Sequence, residues 1–101
     1  MTIVSVLMLR TKVRPEKAAE AETGVRTLFT ALDREQPKGI RYSSYRLGDG
    51  VTYVVLLQVE PGIENPLPGI EAFREFQENL KGWLAEPPVP DQLQVIGEYQ
   101  S

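Results

Sequence analysis

The alternation of hydrophobic and polar positions along the chain predicts short strands and two helices. Residues 2–12 (TIVSVLMLRTK) are rich in β-branched and large apolar side chains, which indicates a strand. From Pro15 to about Gln36 the apolar residues return at helical spacing, and the PKG sequence at 37–39 ends this predicted helix. The missing N–H of a proline suits the first turn of a helix, so Pro15 marks its start.

The rest of the chain predicts a hairpin of two strands, a second helix and a last strand. A second strand is predicted at 40–47, where side chains alternate in character, and the GDG sequence at 48–50 supplies turn residues. Residues 51–59 (VTYVVLLQV) form another strongly apolar run, which predicts a third strand. The stretch at 71–88 (EAFREFQENLKGWLAEPP) has helical spacing and ends in a tryptophan and a proline pair. Residues 92–99 (QLQVIGEY) predict the last strand.

The predicted order βαββαβ indicates an α+β fold in a single domain that spans residues 1–101. The first and third strands carry apolar side chains on both faces, and such strands belong in the middle of a sheet. Placing them centrally gives the ferredoxin-like arrangement, in which a four-stranded antiparallel sheet carries both helices on one face.

The other face of this sheet predicts a partner. Two helices cover one face of four strands, so apolar side chains on the opposite face, such as Val6, Met8, Val54 and Leu56, are left open to water. A large exposed apolar patch on a globular protein usually marks an interface. We therefore expect a homodimer in which two sheets meet face to face, a dimeric α/β barrel. The alternative is a monomer whose own loops cover this face.

The second predicted helix has an unusual amide on its apolar side. At about 100° per residue, Gln77 falls near the centre of the arc that holds Phe73, Phe76 and Leu80. A buried amide without a partner costs roughly 1–3 kcal/mol, so Gln77 is expected to meet a polar strand group, a water or a ligand. Trp83, at the edge of the arc, fits either a core aromatic or a pocket wall.

The first predicted helix suggests where a ligand could sit. Its first half presents the small residues Ala18 and Ala21 to the sheet, whereas its second half presents larger side chains. Small residues at one end leave room between the helix and the sheet. That room is either a ligand cavity or the place of a long side chain such as Met8.

Composition excludes several classes of function. The chain has 42% hydrophobic and 25% charged residues, as in an ordinary globular protein, and its net charge of −3 argues against a nucleic-acid surface. No segment approaches the ~20 apolar residues that cross a membrane. In MTIVSVLMLRTKV at residues 1–13, the basic residues follow the apolar run and no cleavage site appears. We therefore expect a mature, cytoplasmic protein that contacts neither nucleic acid nor membrane.

The chain contains no cysteine and no histidine. Disulfides, thiolate nucleophiles and thiolate or imidazole metal ligands are thus absent, and we expect no metal site. Histidine is the side chain that normally titrates near neutral pH. Any general base must be a carboxylate, lysine or tyrosine, unless the substrate ionises without one.

Three segments together resemble the antibiotic biosynthesis monooxygenase family. PKGIRYSSYR at 37–46 is similar to the family's P-G-x-x-x-Y-x-x-Y segment, YVVLLQVE at 53–60 follows it, and FREFQENLKGWLAEPP at 73–88 is similar to its F-x6-L-x3-L helix before a proline pair. The resemblance covers nearly the whole chain. It implies a homodimer with one pocket per subunit between helices and sheet. It also implies oxygenation of small hydrophobic aromatics of the quinol or polyketide type without a cofactor, or in relatives the oxidation of haem.

The chain departs from this family at two positions. Many members carry a histidine directly before the helix phenylalanine and another in the preceding loop, but this chain has Ala72 and the loop PGIENPLPG at 61–69. The departure excludes haem degradation through a histidine ligand. Cofactor-free oxygenation then requires an acidic phenol that ionises by itself, steered by Asn65, Gln77 or a tyrosine and flanked by Trp83. Asn65 is also a typical turn residue of a proline-rich loop.

The site prediction therefore names pocket residues without assigning a catalytic one. The candidates are Gln77, Trp83, Phe73, Phe76, Tyr53 and Asn65. The competing interpretation is a non-catalytic small-molecule-binding or interaction module on the same dimeric scaffold, because a fold alone does not determine function.

Overall fold

The structure, a computed structural model, describes residues 5–99 and residue 101. The start of the predicted first strand, residues 2–4, lies outside the described residues. The elements follow in the predicted order: β1 (Ser5–Lys12), α1 (Ala18–Glu35), β2 (Ile40–Arg46), β3 (Thr52–Val59), α2 (Glu71–Leu80) and β4 (Val89–Gln94). The ferredoxin-like α+β prediction is confirmed.

The four strands form one antiparallel sheet in the order β2-β3-β1-β4, so the two strands with apolar side chains on both faces are central, as predicted. One row across the sheet contains Ser44, Val55, Leu9 and Pro90 as successive partners. Because side chains alternate along a strand, this register fixes which residues face the helices.

Residue alternation places Leu9 and Val55 on the helix face and Met8 and Leu56 on the opposite face. The alternative prediction that Met8 fills the space beneath α1 is therefore wrong. Its side chain lies on the other side of the sheet from the helices.

The first helix begins as predicted with a proline turn. Pro15–Lys17 form a single 3-10 turn, and α1 continues from it to Glu35. Gln36 ends the helix in the left-handed conformation, with φ of 48°, and its N–H donates to the Leu32 carbonyl at 2.7 Å.

The hairpin between β2 and β3 is stabilised by Asp49. Its Oδ1 accepts from the backbone N–H groups of Val51 (3.0 Å) and Thr52 (2.9 Å), and its Oδ2 accepts from the Thr52 hydroxyl at 2.6 Å. The Thr52 hydroxyl and these backbone donors favour the carboxylate and lower the pKa of Asp49. Gly50 has φ of 77°, which explains the predicted turn sequence.

The predicted position of the last strand, 92–99, is wrong. β4 is Val89–Gln94, and Pro90 lies within it opposite Leu9. Proline lacks the N–H group that pairs within a sheet and is therefore confined to edge strands, and β4, at the edge of this sheet, accommodates Pro90. After Gln94 the chain leaves the sheet.

The predicted extent of the second helix is also wrong, because α2 ends at Leu80 and not at the tryptophan. The following residues pair with the end of β1 instead: the Trp83 carbonyl accepts from Arg14 N–H at 2.8 Å, and Ala85 N–H donates to the Lys12 carbonyl at 2.8 Å. Leu84 forms an isolated bridge with Val13. These backbone bonds replace those that a longer helix would have made.

The core between helices and sheet is divided into two clusters. The first is built on Leu28, Leu32, Leu57, Leu67 and Ile70, with partly buried aromatic side chains of β2, α1 and α2 packed against it. The second is smaller and contains Val13, Ala21 and Tyr53, with Trp83 packed against them.

The sheet face opposite the helices, which we call the open face, carries Val6, Met8, Val54 and Leu56 at its centre. At its edges Tyr45 is 53% and Val89 57% exposed. After β4 the chain returns toward β2, where Glu98 pairs with Arg41 at 3.2 Å, and the alternative in which the chain's own loops cover this face stays a prediction. No helix of the described residues is both long enough and apolar enough to cross a membrane.

Candidate functional site

A cavity of about 70 Å³, here called the inner cavity, lies between the sheet and the two helices. Its sheet side is formed by Leu9, Thr11, Val13, Tyr42, Ser44, Tyr53 and Val55. Its helix side is formed by Ala21 and Val25 of α1 and by Phe73, Phe76, Gln77 and Leu80 of α2.

The inner cavity lies in a gap between the two core clusters, which meet beside it through the edge-on contact of Phe76 with Trp83. Tyr42, Phe73 and Phe76, on one wall, belong to the first cluster, whereas Ala21 and Tyr53, on another, belong to the second. The methyl group of Ala21 is too short to fill the gap, as the pattern of small residues in α1 predicts.

Of the two predicted small residues, only Ala21 lines the inner cavity. Ala18 packs against the second cluster, and its carbonyl lies 3.5 Å from the Tyr53 hydroxyl, which donates to it. The phenol of Tyr53 is thus held toward the start of α1, while its ring forms part of the cavity wall.

Hydroxyl groups are the main polar feature of the inner cavity. Thr11 is 5% exposed and Ser44 is half-buried, and both extend from the sheet. None of the lining residues carries a charge. The cavity can therefore offer hydrogen bonds to a ligand but not a full charge.

Tyr42 supplies the third hydroxyl, and its ring is fixed by two aromatic neighbours. It stacks on Phe29 at 5.4 Å between ring centroids and 10° between planes, and it meets Phe73 edge-on at 6.3 Å and 74°. Burial raises the pKa of Tyr42 to about 12. At neutral pH the group is a phenol that can donate a hydrogen bond, not a base.

The expectation that Gln77 is buried is wrong. Its side chain is exposed, although it lines the inner cavity at the edge where α2 lies above β1. Helical periodicity places Gln77 on the apolar arc, but α2 packs on the sheet mainly through Phe73 and Phe76, and every residue of β4 is exposed. The sheet beside β1 is thus uncovered, and the amide remains in water.

Trp83 does not line the inner cavity. Its ring packs against the second cluster and meets Phe76 edge-on at 6.0 Å and 66°. On its outer side it forms part of a surface groove between α1 and α2. The structure therefore gives Trp83 a packing position and removes it from contact with a cavity ligand.

Asn65 is likewise outside the inner cavity. Its Oδ1 accepts from the Leu67 N–H at 3.0 Å, an arrangement typical of an asparagine turn, and it leads into the 3-10 turn Leu67–Gly69. The candidate residues that do come together around the cavity are Tyr53, Phe73, Phe76 and Gln77.

Sequence reasoning missed the polar residues Thr11 and Ser44. Thr11 lies two residues after Leu9, and Ser44 lies two residues after Tyr42. Because side chains alternate along a strand, this spacing predicts that both face the helices. No group of three or more histidine, cysteine, aspartate or glutamate side chains that could hold a metal is present among residues 5–99 and 101.

Solved structures support the fold but do not fix the activity. A proposed antibiotic biosynthesis monooxygenase from Caulobacter crescentus is 23% identical, with a TM-score of 0.71 over 94% of this chain and 92% of that one. Another from Nitrosomonas europaea is 13% identical, with a TM-score of 0.73 over 92% and 99% of the two chains. A Nitrosomonas europaea protein of unknown function is 13% identical, with a TM-score of 0.75 over 98% and 95%.

No family model matches the chain, and no curated protein matches it. The solved structures nevertheless confirm the predicted resemblance to the antibiotic biosynthesis monooxygenase family at the level of the fold. At such low identities the shared fold leaves the reaction and the substrate open.

Proposed function

We propose that the protein is a cofactor-independent monooxygenase that acts on a small hydrophobic aromatic of the quinol type. The observation that supports this most is the inner cavity, which is mainly apolar and lined by residues with hydroxyl groups. It lies between helices and sheet in a fold shared with proposed monooxygenases. The volume of about 70 Å³ is well below the roughly 300–1,000 Å³ of most ligand sites, so it excludes a fused polyketide and leaves a single ring as the largest candidate.

The proposed reaction needs only the phenol and dioxygen. A phenol with a free para position loses its hydroxyl proton and the hydrogen at that carbon. One oxygen atom of O₂ becomes the second carbonyl of a quinone, and the other leaves as water. The substrate supplies all four electrons, so no external reductant enters the balance.

The protein's part in this reaction is to bind and orient the substrate and exclude water. No lining residue can act as a general base near neutral pH, so the substrate must be acidic enough to ionise by itself. A phenolate in an apolar cavity is costly unless it accepts hydrogen bonds, which Thr11, Ser44 and the neutral Tyr42 can donate. Phe73 and Phe76 take the ring-flanking role predicted for Trp83.

We also propose that the working form is a homodimer built on the open face. The apolar side chains at its centre gain the most when a second sheet covers them, and an interface of about 800 Å² per partner is typical of a stable pair. The inner cavity lies on the other side of the sheet, so each subunit retains its own site.

The uncharged cavity wall also favours a second candidate, a non-catalytic module that binds a small aromatic. Oxygen uptake separates the two. We expect phenols with a free para position to consume O₂ faster with the protein than without it, and Val25→Phe, which fills the inner cavity from α1, to abolish the increase. Ala19→Phe adds the same ring on the exposed side of α1 and should leave the rate unchanged.

If O₂ uptake stays at the rate without protein while the same phenols bind and Val25→Phe blocks that binding, the oxygenase proposal is wrong. The binding-module function then remains.

A further inference from the structure

The inner cavity adjoins a second, larger space on the side of α2. This outer cleft, of about 600 Å³, is lined by Leu9, Arg74, Gln77, Glu78, Leu80, Lys81, Leu84 and Pro88. Leu9, Gln77 and Leu80 line both spaces. A ligand that fills the inner cavity therefore has its free end next to these three residues, at the boundary with the outer cleft.

A smaller depression adjoins the opposite end of the inner cavity, at the β2 edge. It measures about 310 Å³ and shares Val25, Tyr42 and Ser44 with the cavity. Arg26 on its rim is paired with Glu22 at 3.3 Å. The outer cleft has about twice this volume.

The chemistry of the outer cleft matches an uncharged, largely apolar group. Leu9, Leu80, Leu84 and Pro88 provide apolar surface, and the charges of Glu78 and Lys81 on its rim pair with each other at 3.2 Å. Arg74 donates to the Pro68 carbonyl at 2.9 Å and is thereby held toward the start of α2. None of these groups requires a charged ligand.

We propose that the ligand has two parts: a single phenolic ring in the inner cavity and an uncharged apolar extension in the outer cleft. Gln77 stands at the boundary with an exposed amide, where it can donate a hydrogen bond to a polar atom that joins the two parts. This inference rests on the proposed function, because it takes the inner cavity as the ring site.

Two phenols that share one ring test the proposal, and because both are substituted at the para carbon they serve as ligands that the proposed reaction does not consume. 4-Methylphenol fills only the inner cavity, whereas 4-phenoxyphenol adds an ether oxygen and a second ring. Their dissociation constants are measured by titration calorimetry on the intact protein. We expect 4-phenoxyphenol to bind about tenfold more tightly or better, because the second ring buries further apolar surface.

Matched tryptophan substitutions locate the extension. Glu78→Trp fills the outer cleft from an exposed position of α2 and should remove the advantage of 4-phenoxyphenol while 4-methylphenol binds as before. Arg26→Trp places the same side chain at the β2-edge depression and should leave the advantage intact.

The outcomes distinguish this inference from the proposed function. Equal affinity for the two phenols, or an advantage lost in Arg26→Trp and kept in Glu78→Trp, overturns the two-part ligand and leaves the ring site in place. If neither phenol binds, both the ring site and the extension are wrong.

Discussion

The six-membered ring of Trp83 lies directly against the bare Cα of Gly24. A Cβ placed at residue 24 would be 2.5 Å from Cη2 of the indole and 3.0 Å from Cζ3, closer than real Cβ contacts allow. This contact joins the middle of α1 to the turn after α2, where the Trp83 carbonyl also accepts from Arg14. The tryptophan thus packs over the second core cluster, next to the inner cavity.

Gly24→Ala should destabilise the protein by roughly 1–3 kcal/mol, because the indole must move and the gain in helix propensity offsets only part of that strain. Gly48→Ala is the matched control, since nothing lies within 4 Å of its added Cβ and its φ is not positive. Urea unfolding followed by fluorescence of the single tryptophan measures both effects. An unchanged midpoint and emission maximum in Gly24→Ala would show that the contact is not present in solution.

The pKa of Tyr42 predicts a stability change at high pH. Burial raises the pKa to about 12 from the ordinary value of 10.0, so the folded state holds the phenol proton more tightly than the unfolded state does. The stability that the folded state gains from this protonated phenol is complete below pH 10 and is lost as the pH rises toward 12. The free energy of unfolding should therefore fall more steeply between pH 10 and 12 in the natural protein than in Tyr42→Phe.

Phenolate absorbance near 295 nm provides the direct check on Tyr42. In the natural protein the titration of this absorbance should contain a step with a midpoint near pH 12, and that step should be absent in Tyr42→Phe. Circular dichroism at the same pH checks that the protein is still folded. If the step that Tyr42→Phe removes has its midpoint at pH 10, the ring of Tyr42 is in water.

Leu28, 1% exposed in the first core cluster, tests how tightly that cluster is packed. Leu28→Ala should cost about 2–5 kcal/mol of unfolding free energy, because it leaves a cavity beneath α1. The neighbouring exposed Thr27→Ala should change it by no more than about 0.5 kcal/mol. Similar costs for the two variants would contradict the described orientation of α1.

The proposed dimer depends on the centre of the open face. Leu56→Asp places a carboxylate there and should convert a particle of twice the 11.3 kDa chain mass into one of a single chain mass, as measured by sedimentation equilibrium. Ala19→Asp adds the same charge on the exposed side of α1 and should leave the mass unchanged. A natural protein that sediments as a single chain at high concentration would refute the dimer.

The topology was predictable from the sequence because it depends on a strong local pattern. Only strands with apolar side chains on both faces fit the centre of a sheet, and β1 and β3 have such faces. The end of α2 and the place of β4 were not predictable, because both depend on distant partners. Ala85 pairs with Lys12, and Pro90 is tolerated because no strand of residues 5–99 pairs with the outer edge of β4.

The candidate site was predictable in part for a similar reason. Helical spacing correctly placed Phe73 and Phe76 toward the sheet, but it could not show that the sheet beneath Gln77 is uncovered. The cavity hydroxyls of Thr11 and Ser44 were not identified, because a small polar side chain at an inward strand position looks the same in sequence whether it faces a cavity or a packed neighbour.

The proposed function depends most on the inner cavity being the ligand site. Intermolecular nuclear Overhauser effects between 4-methylphenol and methyl groups of the protein test this directly. We expect contacts from the ring protons to Thr11, Val25 and Val55, which line the inner cavity. Contacts to Met8 and Leu56 of the open face, with none to the cavity methyls, would contradict it.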